Sequence, residues 1–281
     1  MILVTGATGR VGRHAVAGLL EAGAEVRALA RDPEAATLPD GAEVVRGDLS
    51  RPETLDAALA GVEAVFLVWP TLSADHAAPA VAGAIAERAR HIVYLSARGV
   101  SPQAEAQGGI LGSHALLERL IEESGVEWTF LRPGGFAANT LMWAPQIRQS
   151  GVVRWVHGAA SRPLIHERDI AAVGVRALTG PGHAGARYEL TGPQTLTQIE
   201  QVSLIGEAVG RPVRWEEMAP EAALQAMVEQ GLPASAARGI LDAHAALVTA
   251  PEPVTGTVER ITGAPATPFR QWAADHAADF R

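Results

Sequence analysis

Short apolar runs alternate with amphipathic stretches through the first half of the chain. The apolar runs cover residues 2–4, 25–30, 43–46, 64–68, 91–95 and 126–131. Short continuous runs of this kind are typical of parallel strands that are buried on both faces of a sheet. The apolar spacing of helices is found between them, at residues 11–23, 53–60, 75–90 and 110–124. This alternation predicts an α/β fold with a Rossmann-like, doubly wound parallel sheet.

The regular alternation of strand and helix ends near residue 135. A helix at 170–178 and a short strand from Tyr188 follow, and then helical patterns at residues 197–209, 221–230, 234–247 and 268–280. We expect a sheet domain at residues 1–135. Residues 136–281 are expected to form a small, mostly helical C-terminal lobe that is partly interleaved with the sheet. The polar, glycine-containing segment 101–109 is expected to be a loop over the cleft.

The composition excludes several kinds of chemistry. The 281 residues contain no cysteine, and all 23 basic residues are arginine. A disulfide, a thiolate nucleophile, a cysteine-bound zinc or a lysine Schiff base is therefore excluded. The net charge is −8 without a basic stripe, which argues against a nucleic-acid partner. No signal peptide and no membrane span or membrane partner is expected, which makes a cytoplasmic location the natural one.

Three glycines follow the first apolar run at a spacing of three residues. Gly6 suits a tight turn, Gly9 would let the backbone approach a pyrophosphate, and Gly12 would let the next helix pack closely. The N-terminus of that helix would then face the phosphates of a dinucleotide. The alternative is an ordinary strand–turn–helix without a ligand. The flanking strand and helix patterns favour the dinucleotide site.

The glycine turn is one of several motifs that resemble one known family. It reads TGATGRVG and is followed by ALARDP, GDLS, VYLSARGV and WTFLRPGGF, with VERITGAPATPFRQWAADHAADF near the end. Together these motifs resemble the NmrA-like, atypical branch of the short-chain dehydrogenase/reductase superfamily. The resemblance covers most of the chain, and it implies that the bound dinucleotide is NAD(P)(H).

The resemblance and the residues together define a cofactor site. Strand two ends without an acid at Ala30 and is followed by Arg31, which suits the 2′-phosphate of NADP(H), and Arg10 in the glycine turn adds to this preference over NAD(H). Asp32 weakens the argument, and Arg31 could instead be a solvated loop residue. The cofactor-binding residues implied are Gly6, Thr8, Gly9, Arg10, Val11, Gly12, Arg31, Asp48, Leu49, Val68, Ser96, His114, Pro133, Gly134 and Phe136. Asp48 could contact the adenine or only shape its turn.

The helix at 110–124 carries the candidate catalytic residue His114. Members of the superfamily with full catalytic machinery have a tyrosine and, four residues later, a lysine there, and this chain has Ile110 and His114. His114 shares an inward-facing stripe with Ile110, Leu117 and Ile121, so it is either a core histidine or a group beside the nicotinamide ribose. Ser96 matches the serine that ends strand five in the family. We therefore name His114 and Ser96 as catalytic candidates and expect no metal site.

Large apolar residues cluster where the family builds its substrate pocket. The pocket candidates are Trp69, Phe136, Asn139, Met142, Trp143 and Trp155. We expect an NADPH-dependent oxidoreductase that passes hydride to a small conjugated acceptor such as a quinone, a dye-like compound or a biosynthetic intermediate. The alternatives are a non-catalytic NADP(H) sensor of the NmrA type and a lyase or isomerase that keeps the nucleotide as a scaffold. The partner is expected to be a small-molecule substrate, and the protein a monomer or a homodimer.

Overall fold

The computed structural model describes residues 1–69, 74 and 76–281 and divides into two compact units. Each unit is built from three segments of the chain. Unit 1 comprises Met1–Pro133, Glu167–Leu190 and Thr257–Ala264. Unit 2 comprises Gly134–His166, Thr191–Gly256 and Pro265–Arg281.

The strands are short and lie mainly in the first two thirds of the chain. They are β1 (Ile2–Val4), β2 (Val26–Ala30), β3 (Glu43–Arg46), β4 (Ala64–Leu67), β5 (His91–Leu95), β6 (Glu127–Pro133), β7 (Val152–Trp155), β8 (Ser161–Arg162), β9 (Ala186–Leu190), β10 (Leu196–Thr197) and β11 (Arg214–Glu217).

The helices occur throughout the chain. They are α1 (Arg10–Glu21), α2 (Asp56–Leu59), α3 (Ala78–Ala86), α4 (Pro102–Gln107), α5 (Gly109–Glu123), α6 (Ala144–Ser150), α7 (Glu167–Thr179), α8 (Gln198–Val209), α9 (Pro220–Glu229), α10 (Ala234–Thr249), α11 (Thr257–Thr262) and α12 (Phe269–Asp275). Short 3₁₀ segments lie at Pro52–Thr54, Ala137–Trp143 and Ala277–Phe280. In the described residues, no helix combines the length and the hydrophobicity that crossing a bilayer requires.

Unit 1 is the predicted doubly wound sheet. Its seven strands are all parallel, in the order β3-β2-β1-β4-β5-β6-β9. The central strands are buried on both faces, which explains their continuous apolar sequences. On one face α1 packs on α7, where Gly18 allows close contact with Val175. The carboxyl ends of parallel strands share one edge, and the loops after β1 to β6 carry most of the predicted cofactor residues.

Unit 2 combines short sheets with the helices of the C-terminal lobe. Strands β7 and β11 pair in parallel, and β8 pairs with β10 in antiparallel orientation. Its core includes the fully buried aromatic side chains of Trp272, Phe269 and Phe280. Helix α8 begins with a capping box, in which the Thr197 hydroxyl accepts from the amide of Glu200 and the Glu200 carboxylate accepts from the amide of Thr197. This cap places the start of α8 where the helical pattern predicts it.

The structure differs from the sequence prediction in several places. The segment 101–109 is not all loop, because α4 begins after Ser101, whose hydroxyl caps it, and Pro102 suits its first position. Ile110 does not face inward; it is 53% exposed in the first turn of α5, whereas Leu117 and Ile121 are buried. The predicted helix at 75–90 is confirmed for Ala78–Ala86, while its expected start at Asp75 lies outside the described residues.

Candidate functional site

The turn between β1 and α1 has the geometry of a phosphate cradle. Gly6 has a φ of +58°, and its carbonyl accepts a hydrogen bond of 2.9 Å from the amide of Gly9. A Cβ atom at Gly12 would lie 2.1 Å from the Gly6 carbonyl oxygen, so only glycine fits there. Gly9 is the N-cap of α1, and no side chain caps this helix. The first turn of α1 can therefore receive the pyrophosphate of a dinucleotide, which these residues fit.

The loops after β2 and β3 carry the residues predicted to bind the adenosine half of the dinucleotide. Arg31 and Asp32 are exposed, and Arg46 at the end of β3 donates through Nη1 to the carbonyl of Arg31 at 2.9 Å. The guanidinium of Arg46 also lies 3.9 Å from the Asp32 carboxylate. Arg46 thus supports the backbone of the Arg31 loop and lies close to the acid beside it. Arg46 was not among the predicted site residues, although its position at the end of β3 is a signal that the sequence contains.

Asp48 holds the shape of its own turn. Its Oδ1 accepts hydrogen bonds from the amide of Ser50 at 2.9 Å and from the Ser50 hydroxyl at 2.8 Å. These hydrogen bonds, the amide one foremost, together with the charges of Arg31 and Arg51, hold the pKa of Asp48 below its usual value. Leu49 is buried beside it. The turn-shaping role is therefore present, and contact of Asp48 with adenine stays a prediction.

His114 on α5 is paired with Tyr94 on β5. The Tyr94 hydroxyl lies 2.6 Å from His114 Nδ1, and the Tyr94 side chain is 0% exposed. Burial raises the pKa of Tyr94 well above its ordinary value, and burial also lowers the pKa of His114, against the opposing charge of Glu118. Both groups are therefore neutral near pH 7.

The burial of Tyr94 fixes the tautomer of His114. Among the described residues, His114 is the one hydrogen-bond partner of the Tyr94 hydroxyl. If that hydroxyl only accepted from Nδ1–H, its own proton would be buried without an acceptor. Tyr94 therefore donates to Nδ1, and the proton of the neutral imidazole resides on Nε2. Tyr94 was not among the predicted site residues.

A second buried hydrogen-bond network connects the sheet to α5. It consists of Ser96, Glu118 and Arg132. The Ser96 hydroxyl donates to Glu118 Oε1 at 2.5 Å, and Arg132 Nε donates to the same oxygen at 2.9 Å. Arg132 Nη2 also donates to Glu118 Oε2, and this ion pair raises the pKa of Arg132. Ser96 and Glu118 are only 3% and 4% exposed. Because its single proton is committed to Glu118, Ser96 can offer a cofactor or substrate only an acceptor oxygen.

The two hydrogen-bonded connections, Tyr94 with His114 and Ser96 with Glu118, have matching spacings along the strand and along the helix. Tyr94 on β5 and Ser96, which directly follows β5, are two residues apart, which corresponds to a rise of roughly 6.6 Å. His114 and Glu118 are four residues apart on α5, which corresponds to about 6 Å. Side chains on one strand face can therefore meet side chains on one helix face in register. This arrangement fixes α5 against the sheet and holds the His114 ring against Tyr94 of β5.

The remaining predicted cofactor residues lie on both units. In unit 1, Val68 follows β4. Its backbone amide donates to the Thr5 hydroxyl at 2.8 Å, and its carbonyl accepts from the same hydroxyl at 2.9 Å. Pro133 is the last residue of β6. Gly134 and Phe136 open unit 2, where Phe136 forms a backbone bridge with Ile165.

A cavity of about 320 Å³ lies within unit 2. Five of the predicted pocket residues line it, namely Phe136, Asn139, Met142, Trp143 and Trp155. The rest of the wall comes from the 3₁₀ segment, from β8 and the residues next to it, and from helices α8 to α10, with Thr140, Ala160, Arg162, Leu164, Gln198, Gln201, Met227, Ile240, His244 and Leu247. Trp69 belongs to unit 1, where it packs half-buried against the core of that unit. A substrate role for these residues stays a prediction.

Comparison with known proteins agrees with the geometry of the glycine cradle. A family model described as NAD(P)H-binding matches residues 6–181. A (4-alkanoyl-5-oxo-2,5-dihydrofuran-3-yl)methyl phosphate reductase of Streptomyces griseus is 44% identical over 100% of this chain and 99% of its own length. An NAD(P)H azoreductase of Xenophilus azovorans is 38% identical over 100% of this chain and 99% of its own.

The fold also matches that of a solved structure. The triphenylmethane reductase of Citrobacter sp., in complex with NADP(H), superposes with a TM-score of 0.80 at 24% identity, covering 99% of this chain and 100% of that one. The predicted Rossmann-like fold is confirmed. With the cradle, the family match and two full-length relatives in agreement, the chain belongs to the NAD(P)H-binding family, in the NmrA-like, atypical branch of the short-chain dehydrogenases/reductases that its motifs resemble.

Proposed function

We propose that this chain is an NADPH-dependent reductase that passes hydride to a small conjugated acceptor. The observation that carries the proposal is the turn of Gly6, Gly9 and Gly12. Gly12 packs closely against the Gly6 carbonyl, and no side chain caps the start of α1, so the backbone amides there can receive a pyrophosphate. The names of the two full-length relatives, both reductases, support the same class of reaction.

The preference for NADPH over NADH rests on the loop after β2. The exposed guanidinium of Arg31 is available for a 2′-phosphate, while Arg46 bonds the carbonyl of Arg31 and lies close to Asp32. Asp32, the acid that would favour the 2′-hydroxyl of NADH, thus lies near an arginine, and the two arginines outnumber it in these loops. Arg10, exposed at the start of α1, adds positive charge on the phosphate side.

His114 acts as a neutral hydrogen-bond donor in this proposal. A bound reduced nicotinamide supplies the hydride, and the protein has to align the acceptor with it and stabilise the charge that develops. Because the Tyr94 hydroxyl donates to Nδ1, the Nε2–H group is the hydrogen-bond donor that His114 can offer, and the buried hydroxyl orients the ring. Ser96, whose proton is committed to Glu118, offers an oxygen acceptor at the end of β5.

The acceptor chemistry follows from the absence of a strong acid in these positions. In the compound named for the Streptomyces relative, a ring C=C bond is conjugated with both an alkanoyl and a lactone carbonyl. Hydride addition to the distal carbon of such a bond moves the π electrons onto the carbonyl oxygens as an enolate, which water then protonates on carbon. Because two carbonyls share the charge, hydrogen-bond donors such as His114 Nε2–H suffice. We propose an acceptor of this conjugated carbonyl type.

The test is single-turnover oxidation of NADPH by the full-length protein, followed by the absorbance of the reduced nicotinamide. The panel contains a quinone, an azo dye and a 2-acyl butenolide, each against a buffer blank. At least one conjugated acceptor should accelerate oxidation. If none does, and NADPH and NADP⁺ bind with strongly different affinities, the NmrA-type sensor function replaces the reductase.

A further inference from the structure

The exposed large apolar side chains of unit 1 are adjacent in the chain. Among the described residues of this unit, only Ile110 and Leu111 are large, apolar and exposed, at 53% and 39%. The other exposed large apolar side chains, Ile199 among them, belong to unit 2. Single exposed apolar residues are common and need no explanation, whereas adjacent ones form a surface that can contact a ligand or a partner.

The path of the chain places this pair at the edge of the sheet where ligands bind. Strands β5 and β6 are adjacent and parallel, so the segment between them has to return from the carboxyl end of β5 to the amino end of β6. Helix α5 makes that return, so its first turn lies at the carboxyl edge of the sheet. Open parallel sheets bind their ligands at this edge.

The pair also lies beside the polar group that the proposed function assigns to the acceptor. Side chains three and four residues apart on a helix are neighbours, so Ile110 and Leu111 both lie one turn before His114. His114 Nε2 has no hydrogen-bond partner in the described part of the chain, and it is not one of the unpaired atoms that are sealed from water. The Nε2–H group is therefore open to a ligand, with two apolar side chains next to it on the helix.

The start of α5 leaves room for a ligand. A Cβ atom at Gly108 or at Gly109 would meet no atom of the described residues within 4 Å, apart from its neighbours in the chain. Leu111 leans toward the loop after β5, because its Cδ1 would lie 3.6 Å from a Cβ atom at Gly99. Ile110 is the more exposed of the pair, so more of its surface is available to a ligand.

We propose that Ile110, assisted by Leu111, is a specificity-determining residue that packs against the apolar body of an acceptor whose oxygen accepts from His114 Nε2–H. The inference rests on the proposed function and deepens it, because it names which conjugated acceptors are favoured. An acceptor with a second ring or an alkyl body beside its carbonyl buries part of the Ile110 side chain. A small one-ring acceptor offers less apolar area for this contact.

The test measures acceptor binding without turnover. The full-length protein is saturated with NADP⁺, which has no hydride to transfer, and is titrated with the bicyclic quinone menadione and with benzoquinone by ligand-observed NMR. The chain has no cysteine or lysine that a quinone could modify. Burial of about half an isoleucine side chain corresponds to roughly a 3- to 10-fold difference in affinity. Ile110→Ala should weaken menadione binding by that factor, Leu111→Ala should weaken it less, and benzoquinone binding should change less than about twofold.

Ile199→Ala is the matched control. Ile199 is exposed to a similar fraction, 48%, but lies at the start of α8 in unit 2. This variant should leave menadione binding unchanged. All three substitutions place alanine, a good helix former, at an exposed helix position, so each variant should remain folded. NADP⁺ affinity should be the same in every variant, which separates a contact with the acceptor from a contact with the cofactor.

Four results would overturn the proposal. Menadione does not bind the wild type, or it binds the wild type and Ile110→Ala equally well. NADP⁺ affinity falls in Ile110→Ala by the same factor as menadione affinity, so that the pair supports the cofactor. Light scattering shows a wild-type dimer that Ile110→Ala dissociates, so that the pair is an interface between two copies of the chain.

Steady-state turnover with NADPH separates this inference from the proposed function. Ile110→Ala should raise the KM for menadione roughly 3- to 10-fold and leave kcat nearly unchanged. If no acceptor is reduced and Ile110→Ala still weakens menadione binding as expected, the contact stands and the reductase does not. If menadione is reduced and Ile110→Ala changes neither its binding nor its KM, the reductase stands and the inference is wrong.

Discussion

Replacing Tyr94 by phenylalanine tests the role assigned to the Tyr94–His114 pair. The ring stays, including its edge contact with Phe130 at 6.2 Å, and only the hydroxyl 2.6 Å from His114 Nδ1 is lost. A buried nitrogen is then left without its donor, which destabilises a protein by about 1–3 kcal/mol. For a chain of this size, each kcal/mol corresponds to roughly 2–4 °C in thermal midpoint.

The second readout is the protonation of His114 itself. In the wild type, the Tyr94 proton occupies the Nδ1 lone pair and opposes protonation there, in addition to the lowering of the pKa by burial. Tyr94→Phe should therefore raise the His114 pKa toward about 6.5, and the Nε2–H tautomer should lose its dominance. Both properties are measured by ¹⁵N NMR of the imidazole, independently of turnover.

The pH dependence of stability follows with a definite sign. The folded-state pKa of His114 lies below its unfolded value, so the unfolded chain binds more protons in that interval. The stability contributed by neutral His114 is present above about pH 6.5 and is lost as pH falls through the folded-state pKa. In Tyr94→Phe this acid-dependent loss should be smaller.

Tyr188→Phe is the matched control. Tyr188 is the other tyrosine of the chain, and its hydroxyl also lies close to a histidine nitrogen, at 2.8 Å from His183 Nδ1. His183 is only partly buried, so water can replace the hydroxyl, and the loss of stability should stay below about 1 kcal/mol. Equal losses in the two variants, or an unchanged His114 pKa in Tyr94→Phe, would refute the reasoning.

Three further substitutions probe the cofactor site and its support. Gly12→Ala should abolish NADPH binding in titrations, because its Cβ would lie 2.1 Å from the Gly6 carbonyl oxygen. In the control Gly83→Ala, the added Cβ would meet no atom of the described residues outside its own helix within 4 Å, so this variant should bind NADPH normally and be slightly stabilised. Glu118→Gln should lower the free energy of unfolding in urea by about 3 kcal/mol by breaking its buried pair with Arg132, and a loss below about 1 kcal/mol would argue against that pair. Arg31→Ala should weaken NADPH binding roughly tenfold and leave NADH binding unchanged, and equal wild-type affinities for the two cofactors would rule out the preference.

The local sequence was sufficient to predict the structure where one segment determines its own geometry. The glycine turn is such a case, because the spacing of Gly6, Gly9 and Gly12 already predicts the close packing in which an added Cβ at Gly12 would lie 2.1 Å from the Gly6 carbonyl oxygen. The signal for α4 was also present in Ser101–Pro102, a cap followed by a favoured first residue, and the composition of the segment obscured it.

Pairings between distant segments could not be read in this way. Tyr94 and His114 are 20 residues apart, and nothing in either segment alone indicates that they meet. Only the matched spacings of Tyr94 with Ser96 and of His114 with Glu118 offered a hint. The exposed Ile110 shows the same limit, since a stripe predicts a buried face only where a neighbouring element covers it.

The three-segment composition of each unit has a practical consequence for anyone who wishes to study the nucleotide-binding half alone. A fragment that stops at Pro133 ends the sheet at β6, whose partner β9 comes more than fifty residues later and pairs with it over residues 129–133 and 186–190. During synthesis, the ribosome exposes β6 as an open edge until β9 emerges, and open edges recruit other chains. Truncation at this boundary should therefore give aggregates, whereas a fusion that joins 1–133 through a short linker to 167–190 keeps the seventh strand.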